Sequence, residues 1–305
     1  MINTPLVTIV LPCYNAEKFI ATSIESVLSQ SFGDFELIII NDGSTDDSLS
    51  IVNTYNSDVR LKVLSQVNSG ANAARNLGVN QASGKYITFI DADDSFKDGA
   101  LKEMMSLIAD YDILVTRAKY NINLDGKEYI NWTLDHLLPK ELWGKLYKKS
   151  IFNQWVMSVP RDLTVGEDFI WNIRSAFYVD KVKIVEDNYY NYQSVNTLSL
   201  MRSINKDLNY EERFYDILEQ SLRDRELSNL EIYNLLSSQR FYSFFGIVRD
   251  LKDFDYDSSF VKKISQKNPL LKNKINRVLF LIMSISNTRI KARLIKWYIK
   301  IRRFK

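Results

Sequence analysis

Three carboxylates, Asp91, Asp93 and Asp94, follow directly on the apolar run 86–90. A buried strand that delivers like charges to one spot needs something to neutralise them. A divalent cation does this most simply. Hard carboxylate oxygens suit Mg²⁺ or Mn²⁺, ions that keep coordination positions open for substrate phosphates. An acidic, helix-capping turn would account for the same residues without a ligand. A second acidic pair, Glu167 and Asp168, follows Gly166 and opens an amphipathic helix whose inner face is Phe169, Ile170, Ile173, Ala176 and Phe177. The helix dipole favours anions at that end, so position by itself explains these two as ordinary caps.

The elements that must position these acids alternate along the chain. Residues 6–11 form an apolar, β-branched run, with Pro12 as its stop and Cys13-Tyr14-Asn15 as a loop. Asn15 is placed to cap a helix over 16–30 with its stripe at Phe19, Ile20, Ile24, Val27 and Leu28, and Gly33 breaks the chain before a strand at 35–40. That strand ends in Asn41-Asp42-Gly43-Ser44, where Gly43 suits the positive φ of a tight turn and Ser44 has capping-box spacing to Asp47. A strand at 61–64, a loop around Asn68-Ser69-Gly70, a helix over 71–82, the strand 86–90, a helix over 99–108 and a strand at 112–115 continue the pattern. Such alternation predicts a mostly parallel sheet with helices on both faces. Ligands of these sheets lie beyond the carboxyl ends of the strands. Pro12, Tyr14, Asp42, Asn68, Gly70, Asp91 and Asp93 all fall there.

The better-known nucleotide motifs are missing. No Gly-x-Gly-x-x-Gly follows any strand, and Gly78 and Gly84 are spaced one residue too far apart for a P-loop, with Tyr86 where a Ser or Thr is required. Dinucleotide oxidoreductases, kinases and P-loop ATPases are therefore excluded. After Arg117 a polar stretch to Pro139 reads as a long loop, the length at which loops are often functional, followed by Glu141-Leu142-Trp143-Gly144-Lys145-Leu146-Tyr147. The single histidine, His136, is expected on the surface of that loop.

With 305 residues, 46% of them apolar, the chain can bury a sizeable core. Cys13 is the only cysteine, so no internal disulfide forms and no zinc pattern exists. The apolar run near the N-terminus is too short for a signal segment, and a protein that is not exported is expected. The net charge of +3 conceals a polarity: residues 258–305 hold 14 of the 40 Lys and Arg and no acid, so residues 1–257 carry 26 basic against 37 acidic side chains, a net −11. Helices are expected at 207–225, 229–251 and 260–267. Beyond 288, Ile290, Leu294, Trp297, Tyr298 and Ile301 share one face while Arg289, Lys291, Arg293, Lys296, Lys300, Arg302 and Arg303 fill the others, which reads as a helix lying on an anionic membrane surface. Nucleic acid would draw on the same charges, but no stacking platform or reading module accompanies them.

Taken together, Val7-Thr8-Ile9-Val10-Leu11-Pro12-Cys13-Tyr14-Asn15, Ile40-Asn41-Asp42-Gly43-Ser44-Thr45-Asp46, Asn68-x-Gly70 with Ala74-Arg75-Asn76, Phe89-Ile90-Asp91-Ala92-Asp93-Asp94, Trp143-Gly144-Lys145-Leu146-Tyr147 and Gly166-Glu167-Asp168 resemble the family 2 glycosyltransferases of GT-A fold. Bacterial capsular and surface-polysaccharide enzymes of that family look similar. The resemblance implies an α/β, Rossmann-like GT-A domain over 1–204 and a helical C-terminal region over 205–305. It further implies a metal-dependent, inverting transfer of a hexosyl or N-acetylhexosaminyl group from a UDP-sugar to a hydroxyl of a glycan or polyprenyl-linked saccharide. By the same resemblance Pro12, Tyr14 and Asp42 would surround the uracil and ribose, Asn68 would belong to the same donor site, and Arg75 would lie near the nucleotide or diphosphate. Asp93 would bind Mn²⁺ or Mg²⁺, Asp91 would touch the ribose or the metal shell, and Trp143 would border the sugar or the acceptor. Asp168 would be the base and Glu167 would orient the acceptor. A further metal ligand that relatives often supply after the Glu-Asp helix has no counterpart here. An inactive nucleotide-sugar-binding protein and a sugar nucleotidyltransferase are the competing readings. The implied location is cytoplasmic, at the inner face of the plasma membrane.

Overall fold

A computed structural model describes residues 4–163, 165–193 and 208–225, with short stretches at 227–228, 230–232, 235–236, 281–282, 290 and 293–295. The chain divides into two compact units, Met1–Ser203 and Ile204–Lys305.

In the first unit, β1 (Val7–Cys13), α1 (Ile20–Leu28), β2 (Phe35–Asn41), α2 (Ser48–Asn53), β3 (Leu61–Ser65), α3 (Ala71–Gln81) and β4 (Tyr86–Phe89) alternate as the apolar periodicity predicts. β1 pairs in parallel with β2 and β4, and β2 with β3. Both faces of β1 are covered, because successive side chains point to opposite sides. Val7, Ile9 and Leu11 join α1 in one core cluster, and Val10 meets α3 on the other side. That second contact is very close. A Cβ at Gly78 would collide with a Val10 methyl, so glycine there lets α3 settle directly on the sheet.

The chain continues through β5 (Ser95–Phe96), α4 (Ala100–Ile108), β6 (Ile113–Val115), β7 (Ile122–Leu124), α5 (Gly126–Leu134), β8 (Lys145–Lys148), α6 (Gln154–Met157), α7 (Glu167–Ser175), β9 (Val182–Ile184) and β10 (Tyr190–Asn191). The main sheet runs β3-β2-β1-β4-β8-β6-β9-β7, with β10 and β5 as a separate antiparallel pair. β8 is antiparallel to both β4 and β6. Its amino end therefore reaches the rim where β4 releases its carboxylates, which brings Trp143 and Gly144 there. Trp171 of α7 meets Phe89 edge-on, ring centroids 5.9 Å apart, so α7 covers the face of the sheet opposite α1.

Several boundaries differ from expectation. Pro12 lies inside β1 rather than ending it: Val10 accepts the last bond from the β4 side, from Ile90 N–H, and β4 then turns away. Pro12, two residues on, faces that vacated side and forfeits no ladder bond. Ser44 does not cap the next helix. Asp46 instead accepts from the Ser48 amide at 3.0 Å, while Asn15 binds the Thr45 amide at 2.8 Å. The polar stretch after Arg117 is not one long loop. It holds β7 and α5, and α5 opens with a reciprocal capping box between Asp125 and Glu128 and buries Tyr129, Ile130 and Leu134.

In the second unit, α8 (Leu208–Arg223) lies inside the span expected for the first C-terminal helix and buries Tyr215, Leu218 and Leu222. The helices expected at 229–251 and 260–267 and the basic tail beyond 288 fall almost wholly outside the described residues. Among the described residues no helix is long and apolar enough to cross a membrane.

Candidate active site

The three carboxylates after β4 part company. Asp94 turns inward and is buried, accepting from the Tyr190 hydroxyl at 2.8 Å and the Gln193 amide at 2.7 Å. Burial raises it to about 7, and the charges of Asp91 and Asp93 add to the rise. The same Tyr190 hydroxyl accepts from the Asp91 amide at 3.1 Å, so one phenol braces both ends of the acidic turn. No spacing in the sequence marked Tyr190. Its partners lie almost a hundred residues away, brought close by the β10–β5 pairing. Tyr190→Phe is expected to cost about 1–3 kcal/mol, because a buried acceptor and an amide lose their partner together, and urea denaturation would measure it.

Asp91 faces the other way. Its Oδ1 accepts from Arg75 Nη2 at 2.9 Å, and the same guanidinium reaches Asp168 at 3.2 Å and Glu167 at 3.6 Å. Arg75 comes from α3, Asp91 from the end of β4 and the other two from the first turn of α7, so three elements meet on one cation. Burial works against the Arg75 charge, but Asp168, Asp91 and Glu167 outweigh it and keep it protonated. Burial raises the proton affinity of Glu167, and the neighbouring Asp168 raises it further. Asp168 is likewise raised by burial, with Arg75 opposing, and its Oδ2 accepts from the Leu142 amide at 3.3 Å. Asp93 is partly exposed.

The remaining rim residues fall into two sets. Asp42 is buried, and its carboxylate accepts from Gln66 Nε2 at 2.7 Å and from the Ser69 and Gly70 amides at 2.8 Å each, which shapes the loop carrying Asn68. The backbone of Gly43, with φ +72°, runs so close to Asn68 that a Cβ would meet its amide nitrogen at 2.8 Å. Tyr14 stands 50% exposed beyond Pro12. Trp143 is only 6% exposed, stacked on Tyr190 and Tyr192 with centroids 4.3 Å and 5.5 Å away and covered by the Arg117 guanidinium at 4.1 Å. The open end of this stack is Tyr192, 56% exposed, which the sequence did not single out. His136 is exposed at the end of α5.

A mostly parallel sheet in which β8 and β7 run antiparallel to their neighbours, with a rim where an acidic turn meets a Glu-Asp helix, is the GT-A fold. The profile described as "Glycosyl transferase family 2" matches residues 8–164. The chain belongs to this family. It is 30% identical over 241 residues to the uncharacterised glycosyltransferase YibD of Escherichia coli (strain K12), covering 71% of this chain and 70% of that one. It is 30% identical over 211 residues to the uncharacterised glycosyltransferase EpsJ of Bacillus subtilis (strain 168), covering 62% of this chain and spanning 61% of EpsJ. The crystal structure of S. aureus TarS 1–349 in complex with UDP-GlcNAc has the same fold, with a TM-score of 0.70 at 19% identity over 98% of this chain and 91% of that one.

Proposed function

We propose that the chain catalyses an inverting transfer from a UDP-sugar to a hydroxyl of a glycan or polyprenyl-linked saccharide acceptor in surface-polysaccharide synthesis. The single observation that carries this reading is the Arg75 bridge, which joins the acid at the end of β4 to the two acids of α7. It sets a nucleotide-side group and a proton acceptor side by side. TarS, of the same fold, is seen with UDP and with UDP-GlcNAc, which supports a UDP-sugar donor.

Asp168 takes the proton from the attacking hydroxyl. Its raised proton affinity brings it closer to the range where a base is both ionised and effective at neutral pH. Glu167 orients the acceptor. Arg75 holds both acids and Asp91 in register, close to where the diphosphate departs. Pro12, Tyr14, Asp42 and Asn68 form the nucleoside wall, with Asp42 acting through the loop it organises. Trp143 gives the sugar side a rigid, stacked backing that extends outward through Tyr192.

Asp91 and Asp93, two partly exposed carboxylates just beyond β4, would suit a shared Mn²⁺ or Mg²⁺, ions that leave positions open for substrate oxygens. Bound there, such an ion supplies Lewis-acid stabilisation of the leaving diphosphate. Asp91, Glu167 and Asp168 share the one Arg75 guanidinium, a surplus of negative charge that such an ion would balance.

A panel of UDP-sugars, with membrane extract as acceptor source, tests the reading. UDP release that EDTA abolishes is expected. Release of pyrophosphate would favour a nucleotidyltransferase, and UDP binding without turnover an inactive binding protein. We further propose that residues 1–204 suffice for nucleotide-sugar binding and that the basic tail of the 205–305 region holds the protein at the inner face of the plasma membrane. Deleting residues 286–305 is expected to move the protein from anionic vesicles to the supernatant on sedimentation, since each basic residue at the surface contributes about 1 kcal/mol.

A further inference from the structure

Behind the acids, the buried side of α7 carries a second polar cluster. Lys145, the first residue of β8, is fully buried, and its Nζ donates to the Pro139 carbonyl and to Asn172 Oδ1, each at 2.8 Å. The hydroxyls of Tyr129 and Tyr147 donate to the same Asn172 oxygen at 2.9 Å each. The Asn172 amide nitrogen in turn donates to the carbonyls of Lys140 and Asp168, both at 2.8 Å. Asn172 lies one helical turn after Asp168, so its side chain sits directly beneath the acid.

The bonds have a direction. Lys145 pins Pro139 and Asn172 pins Lys140, so residues 139–142 are held against the opening turn of α7. Two residues further along, the Leu142 amide reaches Asp168 Oδ2. Stability alone does not call for this arrangement. Burying an ammonium costs several kcal/mol, and well-packed apolar side chains would fill the same space without that cost. Burial pulls Lys145 down to about 7. Three donors converge on one amide oxygen with two lone pairs, more than it needs for its own satisfaction.

We propose that Lys145, acting through Asn172, is a positioning residue for the Asp168 carboxylate: the network fixes residues 139–142 so that the Leu142 amide holds Asp168 in one orientation toward the acceptor. This rests on the reading of Asp168 as the proton acceptor. Lys145 touches no substrate, and its effect is on the geometry of the base.

The experiment is a double-mutant cycle on the full chain, reading UDP release from the UDP-sugar that the panel selects and UDP affinity by calorimetry. Lys145→Met is expected to lower kcat by about 10- to 100-fold, the cost of a misplaced reacting group, with KM for the donor and UDP affinity unchanged. In an Asp168→Asn background the same change is expected to cost nothing further. A loss that multiplies in the double mutant, or a kcat equal to that of the parent, overturns the proposal. Should Lys145→Met not fold, Asn172→Asp decides. It is isosteric and keeps acceptors for Lys145 and both tyrosines while removing the donor to Lys140 and Asp168, and the same kcat loss and non-additivity are expected. If Asp168→Asn alone retains turnover, or no UDP-sugar is consumed, it is the parent reading that fails.

Discussion

Asp168→Asn is expected to lower kcat by about 10²- to 10⁴-fold and to leave UDP affinity within experimental error. The substitution keeps shape, so the Arg75 and Leu142 contacts can still form in outline, but an amide cannot accept a proton from a hydroxyl. The loss should appear in kcat and kcat/KM alike, as it does when an interaction made only in the transition state is removed. Steady-state UDP release paired with calorimetric UDP binding checks both halves. Turnover within a few-fold of the parent would remove Asp168 from the chemistry and leave the helix-cap explanation of the Gly166-Glu167-Asp168 segment standing.

The second large effect is expected at Arg75. Its guanidinium is buried and engages three carboxylates, whose side chains are between 14% and 29% exposed. Arg75→Met leaves those acids facing one another without a counter-charge. Removing one partner from a buried ion pair typically costs about 3–5 kcal/mol, and here one residue serves three partners, so the upper part of that range is expected in urea denaturation. Activity should fall as well, because among the described residues no other ion pair holds the first turn of α7 to the end of β4. Arg75→Lys should recover part of the stability but little of kcat, since an ammonium on a flexible stem does not reproduce a planar fork spanning two elements. If Arg75→Met melts and turns over like the parent, the bridge is incidental and the observation underlying the proposed mechanism loses its weight.

Much of the fold was legible in the chain because its signals are local. The β-branched runs of β1 and β2, the 3.6-residue stripe of α1 and the glycine at 43 each depend only on near neighbours. Pro12 and Ser44 misled for the same reason. A proline ends a strand only if the missing N–H faces a partner, and whether it does is decided by where β4 turns away. Ser44 had the spacing of a cap, but Asp46 lies nearer the exposed amides of α2. The polar stretch after Arg117 concealed α5, though Asp125-x-x-Glu128 was a readable capping signal.

From its sequence alone, this protein's α/β class, its glycosyltransferase family and the acids that lie at the rim were determined, because strand periodicity and short motifs are written in adjacent residues. Tertiary structure alone decided how those acids divide their work: Asp94 turned inward to Tyr190, Asp91 and Asp168 joined through Arg75, and Lys145 set beneath α7. These partners are far apart in the chain and meet only through the register of β4, β8 and β10 and the seating of α3 and α7 on one face of the sheet. Charge pairing of that kind leaves no local pattern, since its energy comes from burial and distance that exist only once the layers have closed.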